Sequence, residues 1–119
     1  LGAELPLIAW SAGAMVLSPR IVLFHDSPPQ GFGNPEVLEA GLGAFPGVVA
    51  LPHADKRLHL DDPARVAIFA RRFVPDLCAV LVKGARLDWD GRRWSGADGT
   101  RRLGEHGELV DVGVHEVQA

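Results

Sequence analysis

Four short apolar runs, separated by helical or loop-like segments, limit what this chain can fold into more than any other feature of its sequence. The runs occupy residues 5–10, 21–24, 48–51 and 78–82. Apolar runs of this length, bounded by turn residues, are typical of buried β-strands. With the segments between them, the order becomes strand, helix, strand, long loop, strand, helix and strand. This order predicts an α/β fold.

The two predicted helices are marked by their ends. Residues 12–17 form a short helix that must end before Pro19, because the residue preceding a proline avoids the helical conformation. Asp61-Asp62-Pro63 predicts the start of the second helix, since an acidic cap followed by proline is a typical helix N-terminus. An apolar stripe at helical spacing predicts which of its positions are buried, namely Val66, Phe69, Ala70 and Phe73. The arginines at positions 65, 71 and 72 are predicted to face water.

The remaining segments are rich in turn residues. Residues 27–47 contain four prolines and five glycines and predict a long loop with one helical stretch around residues 36–40. Beyond residue 85, the pairs Asp90-Gly91, Asp98-Gly99 and His106-Gly107 separate short alternating runs, which predicts β-hairpins. We therefore expect one domain, in which residues 1–84 form the α/β part and residues 85–119 a β-rich tail.

Composition excludes several classes of function. A net charge of −3 argues against nucleic acid as a partner, because phosphate binding needs clustered positive charge. Residues 5–24 are apolar, but Pro6, Gly13 and Pro19 interrupt them, which argues against a membrane span. Cys78 is the single cysteine and lies in an apolar run, so we interpret it as a core residue. The absence of a possible internal disulfide favours a reducing compartment, and we expect the cytoplasm.

Ser11 stands where the first apolar run ends, followed by Ala12 and Gly13. One interpretation is a nucleophile elbow, a tight strand-to-helix turn that presents a reactive hydroxyl next to the N–H groups of a helix start. In that case the N–H of Ala12 is one donor of the oxyanion hole. The other interpretation is a helix start that needs small residues only for close packing. The motif alone favours neither.

Two later residues complete a possible catalytic triad. Asp26 follows the second apolar run, and His53 follows the third. The order serine, aspartate, histidine is one that serine hydrolases with parallel sheets use. Each residue has a plainer interpretation, Asp26 as a turn residue before Pro28 and His53 as a loop histidine. Together they favour a nucleophile, a base and an acid that orients the base.

The same residues carry a resemblance to a known family. The segment WSAGAMVLSPRIVLFHDSP, followed by PQGF and LPHA, resembles the dipeptidase E and cyanophycinase family of serine peptidases. The resemblance covers about residues 5–84. It implies a three-layer α/β/α sandwich with a mostly parallel sheet, of the class I glutamine amidotransferase type. It also implies that Ser11 is the nucleophile, His53 the base and Asp26 the orienting acid of a peptidase acting on small peptides. Serine at the elbow, instead of cysteine, argues against ammonia transfer from glutamine.

Three further expectations concern ligands and completeness. Arg57 and Trp10 are candidates for binding the peptide, which would then be acidic, although Arg57 with Lys56 reads equally as solvated loop charge. No cofactor is expected, and no metal, because His53 with Asp55 or His59 has no ligand spacing. The chain begins at Leu1, directly before the first run. We expect the second oxyanion donor upstream of it, so that the 119 residues alone are nearly inert.

An alternative class of function stays open. Ala9, Met15 and His25 stand where the family usually has glycine, a polar residue and asparagine. The departures bear on substrate choice more than on the chemistry, and Ala9 and Met15 motivate the alternative of a homologue that has kept the fold, lost turnover and acts as a binding or regulatory module.

Overall fold

The computed structural model describes residues 7–26 and 33–117, with the side chains of residues 11, 12 and 22–39 outside that description. Three helices and nine strands follow one another along the described chain. In chain order they are α1 (Ser11–Leu17), β1 (Arg20–Asp26), β2 (Gly33–Ala40), β3 (Val48–Pro52), α2 (Ala54–Arg57), α3 (Pro63–Arg72), β4 (Leu77–Leu81), β5 (Leu87–Trp89), β6 (Arg93–Gly96), β7 (Arg101–Leu103), β8 (Leu109–Asp111) and β9 (Val114–Glu116). None of the described helices combines the length and the apolarity that crossing a membrane requires.

The central sheet has the strand order β3-β4-β7-β8. β3 and β4 are parallel and are joined by α2 and α3, which form the crossover that a parallel pair requires. Hydrogen bonds fasten both ends of this pair, from Leu77 N–H to the oxygen of Gly47 (2.8 Å) and from His53 N–H to the oxygen of Leu81 (2.9 Å). Every residue of β3 is buried, so its side chains contribute to the core on both faces of the sheet.

The two faces of the central sheet are covered by different kinds of structure. On one face α3 packs its apolar stripe, including Val66, Phe69 and Phe73, against Val49, Leu51, Cys78 and Val80. On the other face Trp94 of β6 and Val112 pack against Val48, Leu77 and Ala79. Trp94 belongs to a second sheet, of order β5-β6-β9. The described layers are therefore helix, sheet and sheet.

The predicted three-layer α/β/α sandwich with a mostly parallel sheet is wrong. Among the described strands only β3 and β4 are parallel, and the other pairs are antiparallel. The reason lies in the tail, where tight turns connect strands that are too close in sequence for a crossover helix. A mixed α/β arrangement with mostly antiparallel strands is what the chain forms.

Other element predictions had mixed outcomes. The helix beginning at Pro63 is confirmed, with its stripe buried and its three arginines exposed. The strands at β1, β3 and β4 and the hairpins at Asp90-Gly91 and His106-Gly107 are also confirmed. The predicted first strand is wrong for residues 7–10, which form no strand. The helical stretch at 36–40 is wrong too, because this segment pairs with β1 as β2, and strand pairing overrides a weak local helix preference.

α1 covers the free edge of β3. The N–H of Ala50 points away from β4 and donates to Ser18 Oγ (3.0 Å), and Ser18 is almost fully buried. Pro52, the next residue that faces this edge, has no N–H to satisfy. The last carbonyls of α1 accept hydrogen bonds from Leu42 and Phe45, which lie just before β3. α1 is thereby held against the strand that leads to His53.

Candidate active site

His53 directly follows β3 and has an unusual backbone conformation. Its φ of 54° and ψ of 36° place it in the left-handed region, and it is the one described residue other than glycine with a positive φ. Histidine tolerates this region better than most residues, yet the conformation still costs on the order of 1 kcal/mol. The backbone carbonyl of His53 is hydrogen bonded, because it accepts from the N–H groups of Lys56 and Arg57 (3.0 Å each). His53 is exposed, and its side chain therefore reaches solvent directly after a buried strand.

Ser11 and Ala12 are the first two residues of α1. Trp10 precedes them in an extended conformation and provides no side-chain cap. The first N–H groups of any helix have no acceptor within the helix, so the position predicted for an oxyanion donor is a helix start. The helix predicted over residues 12–17 is confirmed, and the strand predicted before it is wrong, because residues 7–10 are not a strand. The side chains of Ser11 and Ala12 lie outside the described part, so their catalytic roles stay predictions.

Asp26 is the last residue of β1, opposite Gly33 of β2. Its side chain also lies outside the described part, and its role as orienting acid stays a prediction. The elements that carry the three predicted residues are nevertheless neighbours. α1 packs against both β1 and β3, and β1 contacts β3. The structure therefore places the elements α1, β1 and β3 in contact, and the arrangement of Ser11, Asp26 and His53 as a triad stays a prediction.

The predicted substrate-binding residues lie on either side of this region. The side chain of Trp10 is 75% exposed, and Leu7 and Ile8 before it are also exposed. Arg57 ends α2, one helical turn after His53, and is half-buried with polar or electrostatic contacts of its own. Neither position is shown to contact a peptide, and both stay predictions.

Metal binding and thiol chemistry can be assessed for the described residues. No group of three or more histidine, cysteine, aspartate or glutamate side chains among them is arranged to hold a metal ion. Cys78 is buried in β4, which confirms its interpretation as a core residue. Burial, reinforced by the charge of Asp76, raises the pKa of its thiol to about 12. The thiol therefore stays protonated near neutral pH and is a poor nucleophile.

Sequence reasoning missed a cleft at the other end of the central sheet. It has a volume of about 310 Å³ and lies between the turn after α3 and the β7–β8 hairpin. Asp76, Arg102 and Glu105 are among the residues that line it. The only signal in the sequence was a cluster of charged residues around the His106-Gly107 turn, which predicted a hairpin and no more.

No protein-family model matches the chain, and no match to it was found among curated proteins or among solved structures. The resemblance to the dipeptidase E and cyanophycinase family rests on the sequence motifs alone.

Proposed function

We propose that this chain carries the catalytic residues of a serine-type peptidase that cleaves small peptides. In this proposal Ser11 is the nucleophile, His53 the general base, Asp26 the orienting acid and the N–H of Ala12 one oxyanion donor. The observation that supports it best is His53, an exposed and conformationally strained histidine at the end of a buried strand. Strained non-glycine residues cluster at active sites, and the helix that begins with Ser11 packs against the same strand.

The proposed reaction proceeds through an acyl-enzyme. Ser11 Oγ attacks the peptide carbonyl carbon while His53 accepts the hydroxyl proton. The resulting oxyanion accepts a hydrogen bond from the N–H of Ala12, and His53 then donates the proton to the departing amine. Water hydrolyses the ester by the same steps, with His53 again taking a proton, and this regenerates the Ser11 hydroxyl. Asp26 holds the imidazole in the tautomer that can accept the proton.

The substrate class follows from the same neighbourhood. Arg57 is one helical turn from His53, and a guanidinium binds carboxylates with two parallel hydrogen bonds. The exposed ring of Trp10 precedes Ser11 and offers an apolar surface. We propose an acidic small peptide as substrate, and a reducing, cytoplasmic location in keeping with the single buried thiol of Cys78.

A binding or regulatory module is the second candidate. Leu7 and Ile8 are 52% and 80% exposed and lie close in sequence to Trp10, which is 75% exposed. Adjacent exposed apolar side chains mark interaction surfaces more often than catalytic ones. In this candidate the peptide binds at the same region but is not cleaved.

A serine-directed fluorophosphonate probe tests the proposal on the natural polypeptide that contains these residues. We expect labelling that Ser11→Ala abolishes and Ser95→Ala, a serine on β6 away from the site, leaves unchanged. His53→Ala should reduce labelling and peptide hydrolysis to background, because nucleophile and base act as a unit. Asp26→Asn should reduce turnover about 10⁴-fold by favouring the wrong tautomer.

Two outcomes would decide against a peptidase. Labelling that persists in Ser11→Ala would show that the nucleophile is elsewhere. Saturable peptide binding in calorimetry, without labelling or hydrolysis, would establish the binding module instead.

A further inference from the structure

The cleft described above has an apolar floor and a charged rim. Its volume of about 310 Å³ is at the low end of small-molecule pockets, which span roughly 300–1,000 Å³. Ala70 of α3, Val74 in the turn after it and Leu103 of β7 supply the apolar lining. A space of this size and lining suits a ligand as large as one amino acid with an aliphatic side chain.

The cleft is separate from the candidate active site. It is lined by Leu77 and Cys78, at the beginning of β4, whereas His53 is hydrogen bonded to Leu81 at its end. Four residue steps along a strand span about 13 Å. A ligand in this cleft would therefore lie away from His53, and its binding does not depend on the proposed peptidase activity.

The charges of the rim differ in whether they are already paired. Asp76 is 15% exposed and faces Arg20, with Nε and Oδ2 4.0 Å apart. Arg102 is half-buried and forms no ion pair with a carboxylate of the described residues. Its neighbour Arg101, by contrast, pairs with Asp111 (3.5 Å) outside the cleft. As far as the described residues go, the Arg102 guanidinium is thus available to bind a ligand.

Two carboxylates belong to residues that line the same cleft as Arg102. Glu105 and Glu108 are exposed residues of the segment that joins β7 to β8, and both line the cleft. Glu108 is held in place through its backbone, whose oxygen accepts a hydrogen bond from Gly104 N–H (2.7 Å). Within the described part of the chain, the cleft therefore presents the Arg102 guanidinium without a carboxylate partner and the carboxylates of Glu105 and Glu108, beside the Arg20–Asp76 pair.

We propose that this cleft binds a free α-amino acid with an aliphatic side chain. Arg102 binds the ligand carboxylate, Glu105 and Glu108 bind its ammonium group, and the side chain packs on Ala70, Val74 and Leu103. A zwitterion matches a rim that carries both signs of charge, whereas an anion would meet two carboxylates and a cation would meet Arg102.

Calorimetric titration with L-leucine tests the proposal. A contact of this size predicts a dissociation constant on the order of 1 mM. Leucinamide lacks the carboxylate and N-acetyl-leucine lacks the ammonium group, so each should bind at least about tenfold more weakly. Leucinamide resembles the first residue of a peptide, and N-acetyl-leucine resembles the last. Glycine tests the aliphatic contact because it has no side chain.

Matched variants locate the binding. Arg102→Gln should weaken leucine binding at least about tenfold, while Arg101→Gln should leave it unchanged. Arg102→Lys keeps the charge but loses the two-point geometry, so it should bind leucine more weakly in a chain that folds normally. Leucine should also slow the reaction of Cys78 with a thiol reagent, because the thiol lines the cleft and is reached there or after local opening.

The proposal has clear failing outcomes. Failure to saturate at roughly tenfold the expected constant would overturn it. Equal binding by Arg102→Gln and Arg101→Gln would also overturn it, as would N-acetyl-leucine binding as tightly as leucine. Loss of leucine binding in Ser11→Ala would show that the ligand occupies the candidate active site instead of this cleft.

Discussion

Two helices begin within the crossover that joins β3 to β4, and their first turns are built in opposite ways. α3 begins after Asp62, whose Oδ1 accepts hydrogen bonds from the N–H groups of Ala64 (3.1 Å) and Arg65 (3.4 Å). Pro63 occupies the first helical position, where its missing N–H is no loss. α2 begins after His53, which is left-handed and provides no side-chain cap. The first arrangement stabilises a helix, and the second costs stability.

This difference between the two helix starts indicates where in the crossover a functional residue is expected. Asp62 caps α3 well only nine residues after His53, so the missing cap of α2 is not a general property of this segment. Sites that break local rules are those where another requirement outweighs stability. The exposed imidazole of His53 is the obvious requirement, which is why it carries our functional proposal.

The largest effect should come from the contact that holds the start of α3 in place. Gly107, at the tip of the β7–β8 hairpin, has a φ of 93°, and a Cβ added there would lie 2.7 Å from Pro63 Cβ. Gly107→Ala combines left-handed strain with a clash and should lower the free energy of unfolding by about 2–4 kcal/mol in urea titrations. Gly91→Ala is the control, since its φ is 98° but its added Cβ meets nothing within 4 Å. Equal losses in both variants would show that the hairpin does not support α3.

A smaller effect should follow removal of the good cap. Asp62→Ala leaves two N–H groups of α3 without an acceptor and should cost about 0.5–2 kcal/mol. Asp62→Asn retains a capping oxygen and should recover most of that loss, which separates the cap from the ion pair with Arg65 (3.5 Å). Asp61→Ala, beside it and exposed, should change stability by less than about 0.5 kcal/mol. A loss as large in Asp61→Ala would mean that the cap has been assigned to the wrong aspartate.

The smallest effect should have the opposite sign. His53→Gly removes the left-handed strain and should raise the free energy of unfolding by about 0.5–1 kcal/mol, measured by the same urea titrations. His53→Ala keeps a Cβ in the same conformation, so it should lack this gain. If the peptidase proposal holds, both variants lose hydrolysis although only one gains stability. Destabilisation by His53→Gly would show that the poor start of α2 is not strained, and the contrast with α3 would fail.

The parts of the fold that the sequence predicted are those encoded by local pattern. Asp62 and Pro63 define the start of α3 through groups only a few residues away, and its apolar stripe repeats at helical spacing. β3 and β4 were recognisable as uninterrupted apolar runs. The segment at 36–40 was misassigned because its strand pairing with β1 depends on residues far away in sequence. The same division holds for the candidate site. The sequence identified Ser11, Asp26 and His53 as candidate residues, but it did not predict the left-handed backbone of His53.

The sequence by itself determined that β3, β4 and the apolar stripe of α3 are buried, where α3 begins and which residues are candidates for catalysis, because each of these depends on neighbours within one or two turns. Only the tertiary structure decided that β7 joins β4 in antiparallel orientation, that a sheet carrying Trp94 and not a helix covers the second face of the central sheet, and that Arg102 and Glu105 line one cleft. The physical reason is that hydrophobic periodicity specifies which side of an element avoids water, but not which partner it packs against. Partner choice is settled by the combined shape and hydrogen bonding of segments that are distant in the chain.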